Sequence, residues 1–206
     1  MSGSKEAFSK RRTGQRGQSR ALAMFVDGIS EENYLRWIFR QHIGTTPKIY
    51  VTEMSGLDSI FRFMMGKLKH ESLNKGDRIV VVIDVDRHTP EDMRRFISEC
   101  GKKDIEVFFS NPSFEVWLLE HYCDVTGNPD QEELEARLSE KLGHKYKKSE
   151  GITLNREMVD GAILRGYRII GPNDDMVEKC LEKGPRSNLH ILIDRMLKVE
   201  YGNRNR

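Results

Sequence analysis

Residues 78–86 read RIVVVIDVD, a run of β-branched residues that ends in two aspartates one residue apart. Such a run favours a strand that is buried on both faces, as in a parallel sheet. Asp84 and Asp86 then lie at its carboxyl end, and their spacing on extended backbone puts both carboxylates on one side. Two anions held so close need a cation or a shared proton. Taken alone, the pair is equally consistent with a metal site and with a polar Asx turn.

The composition is that of a soluble protein with one core. Hydrophobic residues make up 37% and charged residues 32% of the 206 residues. No apolar run approaches the length of a membrane span, and no secretory signal peptide is expected from the polar, basic N-terminus. The three cysteines, Cys100, Cys123 and Cys180, form neither a CxxC pair nor a zinc-type spacing. We therefore expect a reduced protein of the cytoplasm.

Charge is distributed unevenly along the chain. Residues 1–20 contain six basic residues and one acid, a net charge of +5, so the rest of the chain carries −3 of the total of +2. The composition of this segment predicts a disordered basic tail. The tail either holds the phosphates of a nucleic acid or acts only as a solubilising leader.

Strand-like and helix-like segments alternate from residue 21 to about residue 125. The predicted strands are Ala21–Asp27, Lys48–Glu53, Ile79–Ile83 and Ile105–Phe109. Each is followed by a predicted helix; the first is capped by Ser30, the third by Thr89, and the fourth opens at Ser110-Asn111-Pro112. This order predicts an α/β core with a mostly parallel, Rossmann-like sheet flanked by helices. No further strand is predicted after Gly127, and residues 126–206 are expected to form a helical C-terminal part packed on the core.

Polar residues follow the predicted strands at the edge where open α/β sheets bind ligands. They are Asp27, Glu31, Asp84, Asp86, Ser110, Asn111 and Glu115. Carboxylate oxygens without neighbouring His or Cys suit Mg²⁺ or Mn²⁺ better than zinc. Such ions typically serve phosphate chemistry, in which they neutralise oxygens and activate water.

Several of these residues also have a simpler interpretation. Asp27 precedes a glycine and can be a turn residue, and Glu31 or Glu115 can act as an early charge on a helix dipole. His88 is either a base or phosphate contact, or a solvated loop residue. Arg87 either counters the neighbouring acids or holds a phosphate, and the sequence does not separate these roles.

The arrangement of an acid after strand one, DxD after strand three and a polar helix start after strand four resembles the Toprim fold. That fold is shared by topoisomerases, primases, recombination proteins and several nucleases. In it, a glutamate after the first strand works with the DxD to hold divalent metal beside a phosphodiester. Asp27 stands at the position of that glutamate here, Glu31 is an alternative for it, and the glycine that often follows the DxD is absent.

Four segments resemble the RloB family more closely. They are FVDGISEENY at 25–34, similar to EGxxTExxY; SNPSFEVWLLEHY at 110–122, similar to SNPxFExWLLxHF; KYKK at 145–148, similar to YxK; and GPRSNLH at 184–190, similar to NPSTNVH. The resemblance extends over about residues 22–197. Gly184 and Arg186 depart from the late segment. The family resemblance implies a prokaryotic anti-phage or abortive-infection protein that is often encoded beside an AAA or ABC-type ATPase.

Together, the acidic edge and the resemblance lead to the hypothesis of a Mg²⁺- or Mn²⁺-dependent nuclease acting on RNA or DNA. The expected catalytic residues are Asp27, Glu31, Asp84, Asp86 and Glu115, with Asp27, Asp84 and Asp86 as the metal ligands. The expected nucleic-acid contacts are Arg87, His88, Ser110, Asn111, Lys145 and Lys148. The alternative is a non-catalytic nucleic-acid- or nucleotide-binding subunit that regulates a partner ATPase. The oligomeric state is open, and a homodimer is compatible with the sequence.

Overall fold

The computed structural model describes residues 22–72, 77–85 and 87–204, with side chains described up to residue 198. The predicted basic tail of residues 1–20 and Asp86 lie outside the described residues. Within the described ranges, five strands form one sheet in the order β2-β1-β3-β4-β5. The strands are β1 Leu22–Val26, β2 Lys48–Val51, β3 Arg78–Asp84, β4 Ile105–Asn111 and β5 Arg186–Ser187.

The strands β1 to β4 run parallel, which confirms the predicted α/β class with a mostly parallel sheet. Strand β5 runs antiparallel to β4 and pairs Ser187 with Ser110. The expectation of no strand after Gly127 was therefore wrong. A strand of two residues is too short to show the alternating pattern by which strands are recognised in a sequence.

Helices follow the parallel strands and then make up most of the C-terminal part. They are α1 Ile29–Ile38, continued by a π-helical turn at Phe39–Ile43, α2 Leu57–Leu68, α3 Pro90–Gly101, α4 Glu115–Glu120, α5 Gln131–Leu142, α6 Arg156–Ile169, α7 Met176–Leu181 and α8 Leu189–Arg204. The predicted start of α3 is confirmed, because the Thr89 hydroxyl oxygen accepts a hydrogen bond from the Asp92 backbone N–H at 3.2 Å. No helix in the described part of the chain is long and apolar enough to cross a membrane.

Two predicted helix starts were wrong. Ser30 does not cap α1, which begins at Ile29 after Gly28, and the Ser30 hydroxyl instead lies 3.0 Å from the hydroxyl of Tyr146. The fourth helix does not open at Ser110-Asn111-Pro112 either. Ser110 and Asn111 are the last residues of β4, held there by pairing with β5, and α4 begins at Glu115.

Apolar side chains pack on both faces of the sheet. On one face, Val80 and Val82 contact the layer formed by α1, α4, α5, α6 and α8. On the other face, Val81 and Ile83 contact the layer formed by α2, α3 and α7. Val80 to Ile83 are each at most 1% exposed, which confirms a strand buried on both faces. Burial of each such side chain stabilises the fold by about 1.5–3 kcal/mol, so the carboxyl end of β3 is firmly positioned.

Candidate active site

The carboxyl edge of the parallel sheet carries a pocket of about 330 Å³. Asp27 follows β1, Asp84 ends β3, and Glu115 begins α4, so three different elements bring their acids to the same place. Among the described residues, five acidic and two basic side chains line this pocket: Asp27, Glu31, Glu53, Asp84 and Glu115, with Arg87 and Lys148. The strand order therefore gathers most of the charged residues that the sequence had singled out.

Gly28 allows Glu31 to lie beside Asp27. A Cβ atom at position 28 would stand 3.2 Å from Oε2 of Glu31, closer than almost all real Cβ contacts. Glycine has no Cβ and leaves that space to the carboxylate. The turn between β1 and α1 is thus shaped to bring two acids into one pocket.

Glu31 is buried, with 4% of its surface exposed. Its pKa is raised to about 7, by burial first and then by the negative charges of Asp27 and Glu115. Both effects disfavour the charged form of a carboxyl group. Glu31 is therefore able to hold or release a proton near neutral pH.

Glu115 is even more deeply buried but is held in its charged form. Its Oε2 accepts a hydrogen bond from the Ser113 hydroxyl at 2.8 Å, and its Oε1 accepts one from the Tyr146 hydroxyl at 3.1 Å. Burial raises the pKa of Glu115, but the Lys148 ammonium group and hydrogen bonds from Ser113 and Gln131 outweigh it, so the pKa is lowered. Two acids of one pocket thus have pKa values displaced in opposite directions, as in many sites that move protons.

Residues 144–150, between α5 and α6, form a segment that we call the basic strap. It is fastened to α1, because Asn33 Nδ2 donates hydrogen bonds to the backbone oxygens of Lys148 and Ser149, each at 3.3 Å. The buried Tyr146 hydroxyl joins Ser30 of α1 to Glu115 of α4. The strap places Lys148 Nζ 3.5 Å from Glu115 Oε1, at the wall of the pocket.

Of the six predicted nucleic-acid contacts, Arg87 and Lys148 line the pocket. The other four, His88, Ser110, Asn111 and Lys145, lie outside its lining. Ser110 is buried and its hydroxyl donates to Ser187 Oγ at 3.1 Å, while Asn111 Nδ2 donates to the backbone oxygen of Glu182 at 3.0 Å. Both groups therefore serve the junction of β4 with the C-terminal part. Lys145 is exposed on the strap, and His88 lies in the loop between β3 and α3.

The prediction missed residues of the loop between β2 and α2. Glu53, Met54 and Ser55 line the pocket beside Asp27 and Asp84. The signal was present, because Glu53 closes the second predicted strand as Asp27 closes the first, and the same rule of strand ends applies. The interpretation did not extend the rule to this strand.

The pocket has oxygen donors of the kind that a hard divalent cation takes. Within residues 22–72, 77–85 and 87–198, whose side chains the structure describes, no group of three or more His, Cys, Asp or Glu side chains is close enough to share one ion. Asp86, the second acid of the DxD, lies outside those ranges. Burial first, and then the negative charges of Asp27 and Glu115, raises the pKa of Glu31, and a bound cation would relieve the second of these effects. The described donors, Asp27 and Asp84, fit Mg²⁺ or Mn²⁺ and not a site of the zinc type.

The fold and the pocket define an α/β protein with a charged, largely acidic site at the carboxyl edge of a mostly parallel sheet. The model of the family described as RloB-like protein matches residues 22–196. The chain therefore belongs to the RloB-like family, as the resemblance in its sequence predicted. No curated protein and no solved structure matches the chain.

Proposed function

We propose that this protein is a metal-dependent nuclease that hydrolyses phosphodiester bonds of RNA or DNA at a Toprim-like site. The observation that carries the proposal is the meeting of Asp27, Asp84 and Glu115 with Lys148 and Arg87 in one pocket. Acids alone would repel a phosphate, and bases alone would bind it without chemistry. Their combination is what phosphoryl chemistry with a divalent cation requires.

Asp27 and Asp84, together with Asp86, are the residues that would hold Mg²⁺ or Mn²⁺. When bound, the ion would neutralise the phosphate oxygens and activate water. Lys148 and Arg87 bind the same phosphate from the protein side, and both side chains are accessible, with 44% of the Lys148 side chain exposed. The ammonium group of Lys148 lies 3.5 Å from Glu115 Oε1 and 3.7 Å from Glu135 Oε1, so a substrate phosphate would compete with two carboxylates for it.

Glu115 and Glu31 have separate roles in this proposal. Glu115, fixed by Ser113 and Tyr146, is a charged anchor that orients Lys148. Glu31, with a pKa raised to about 7, is the group suited to accept a proton near neutral pH. The family resemblance supports a role in prokaryotic anti-phage defence with an AAA or ABC-type ATPase as partner, and the three widely spaced cysteines favour a location in the cytoplasm.

The test is incubation of the purified protein with total RNA, tRNA and plasmid DNA in Mg²⁺, Mn²⁺ or EDTA. We expect cleavage that EDTA abolishes and that the Asp84→Asn variant lacks. Asp58→Asn is a matched control, since Asp58 is an exposed acid on α2 that pairs with Arg95 outside the pocket lining. Cleavage by Asp84→Asn at the wild-type rate, or no cleavage in any condition, would contradict the proposal.

A second candidate is a non-catalytic subunit that binds nucleic acid or nucleotide and regulates a partner ATPase. The observation that favours it is that no three acids in the described part of the chain are close enough to share an ion. Titration of Mg²⁺ against the wild type and Asp86→Ala separates the candidates. Binding of RNA without metal and without cleavage would support the second one.

A further inference from the structure

The acidic pocket has an apolar rim. Only three large hydrophobic side chains in the described part of the chain are exposed, and two of them, Ile29 at 44% and Met54 at 42%, line this pocket. The third, Leu164, lies on α6. Exposed apolar residues scattered singly are ordinary. Ile29 and Met54 differ in that both line one polar pocket, so whatever binds there meets apolar surface as well as charge. We call Ile29 and Met54 the apolar rim.

The backbone that carries Met54 is held in an unusual conformation. Glu53, directly before it, has φ +46°, and Gly56, two residues after it, has φ +88°. A residue with a side chain rarely adopts a positive φ, and such residues concentrate at ligand-binding sites. The loop is anchored beside β1, because the Thr52 backbone N–H donates to the Val26 oxygen at 2.9 Å. The fold thus presents Met54 at the pocket while it holds Glu53 there as well.

Ile29 faces the pocket from the first turn of α1. Asp27 and Glu31, two positions before and after it in the chain, supply carboxylates to the same pocket. Ser30, the next residue, is buried. The apolar rim therefore lies directly beside the acids that we assign to phosphodiester chemistry. A ligand that covers both surfaces carries an anionic group and an apolar face close enough together to share one pocket of about 330 Å³.

We propose that the apolar rim is a subsite for an unpaired nucleobase of the substrate strand, next to the phosphate that is hydrolysed. This inference rests on the proposed nuclease function and names its substrate class, a single-stranded nucleic acid or an unpaired loop. A base within a duplex is stacked on both faces and is not free to lie against Ile29 and Met54. Proteins that take single strands combine a positively charged groove for the backbone with aromatic side chains on which any base can stack. Here Arg87 and Lys148 supply the positive charge. Ile29 and Met54 supply apolar contact to the base in place of an aromatic ring.

The experiment measures binding of labelled oligonucleotides by fluorescence anisotropy, in Mg²⁺ and with Asp84→Asn as the background so that the strands stay intact. Three ligands of the same length are compared: a single strand, the same strand with abasic sites, and a duplex. We expect the intact single strand to bind about tenfold more tightly than the abasic strand, because the abasic strand loses the apolar surface that the base buries against the rim. Met54→Gln and, independently, Ile29→Thr should reduce that preference, whereas Leu164→Gln should leave it unchanged.

Equal affinity for intact and abasic strands, or an unchanged preference in both rim variants, would overturn the subsite and leave the nuclease proposal in place. Tighter binding of the duplex than of the single strand would do the same. If the wild type neither binds nor cleaves any of the nucleic acids, the nuclease proposal fails and the subsite fails with it. Thermal unfolding of each variant checks that the fold is retained.

Discussion

The hydroxyl group of Tyr146 donates a hydrogen bond to Oε1 of Glu115 over 3.1 Å, although 31 positions separate the two residues in the chain. Burial first, and then the charge of Glu115, raises the pKa of Tyr146, so its hydroxyl stays protonated and able to donate. Through this bond, a segment of the C-terminal part fixes an acid at the edge of the sheet. The wall of the pocket is therefore built from the parallel-sheet core and from the C-terminal part together.

Replacement of Tyr146 by Phe removes the hydroxyl and leaves buried polar groups of Ser30 and Glu115 short of a partner. We expect Tyr146→Phe to lower the free energy of unfolding by about 1–3 kcal/mol, measured by urea denaturation, and to weaken nucleic-acid binding. Tyr167→Phe is the matched control, because it loses a hydrogen bond to Asp194 away from the pocket. Equal effects of both variants on binding would show that Tyr146 acts only through stability.

Lys148 and Lys147 are neighbours with different surroundings. Lys148 lines the pocket, whereas Lys147 Nζ lies 2.7 Å from Glu150 Oε1 on the exposed side of the strap. We expect Lys148→Gln to weaken nucleic-acid binding and to reduce the slope of log K against log salt by about 1, while Lys147→Gln changes little. The measurement is a salt titration of binding, and a larger effect of Lys147→Gln would contradict the assignment.

Glu31 should make stability depend on pH. Its pKa is raised from the ordinary 4.5 to about 7, by burial first and then by Asp27 and Glu115, so the folded protein binds the proton more tightly than the unfolded chain. The stability that this proton contributes is fully present below about pH 4.5 and is lost as the pH rises through about 7.

Urea denaturation in EDTA, at a series of pH values, tests whether stability falls as the pH rises. The free energy of unfolding of the wild type should fall relative to that of Glu31→Gln between pH 4.5 and about 7. Glu32→Gln is the control, since Glu32 pairs with Arg36 at 2.7 Å and lies outside the pocket lining. A difference that rises with pH would refute the assignment.

Glu120, the last residue of α4, is buried, and neither of its carboxyl oxygens has a hydrogen-bond partner within the described part of the chain. Burial raises its pKa well above the usual value. A buried polar group without a partner costs about 1–3 kcal/mol, so Glu120→Met should raise the free energy of unfolding at neutral pH. Glu120→Gln keeps the polar group and should gain less. A lower stability of Glu120→Met, measured by urea denaturation, would show that the carboxyl group is satisfied.

The parallel sheet was predictable because its signal is local. A few adjacent residues suffice for each element. Five successive β-branched residues predict β3, and the Thr89-Pro90 pair predicts the start of α3. The edge at which Asp27, Asp84 and Glu115 meet then follows from strand direction alone. The family assignment rested on longer segments, chiefly residues 110–122, and was confirmed.

What the sequence did not predict depends on contacts between distant segments or on backbone conformation. Ser110 was expected at a binding site, but its hydroxyl is occupied by Ser187, 77 positions away. Tyr146 was noticed only as part of a family segment, because no local pattern indicates that its hydroxyl reaches Ser30 and Glu115. Glu53 has a positive φ, which no propensity of glutamate suggests.

The basic strap determines what a truncated form of the protein would lose. Because Tyr146 and Lys148 contact α1 and α4, a fragment ending near residue 125 would keep all five acids that line the pocket and lose the wall that the strap forms. The complete pocket therefore forms only in a chain that includes the strap. A ligand that fills the pocket would contact both the core and the strap. Its binding would therefore slow amide hydrogen exchange in β1 and also in the helices that follow the strap.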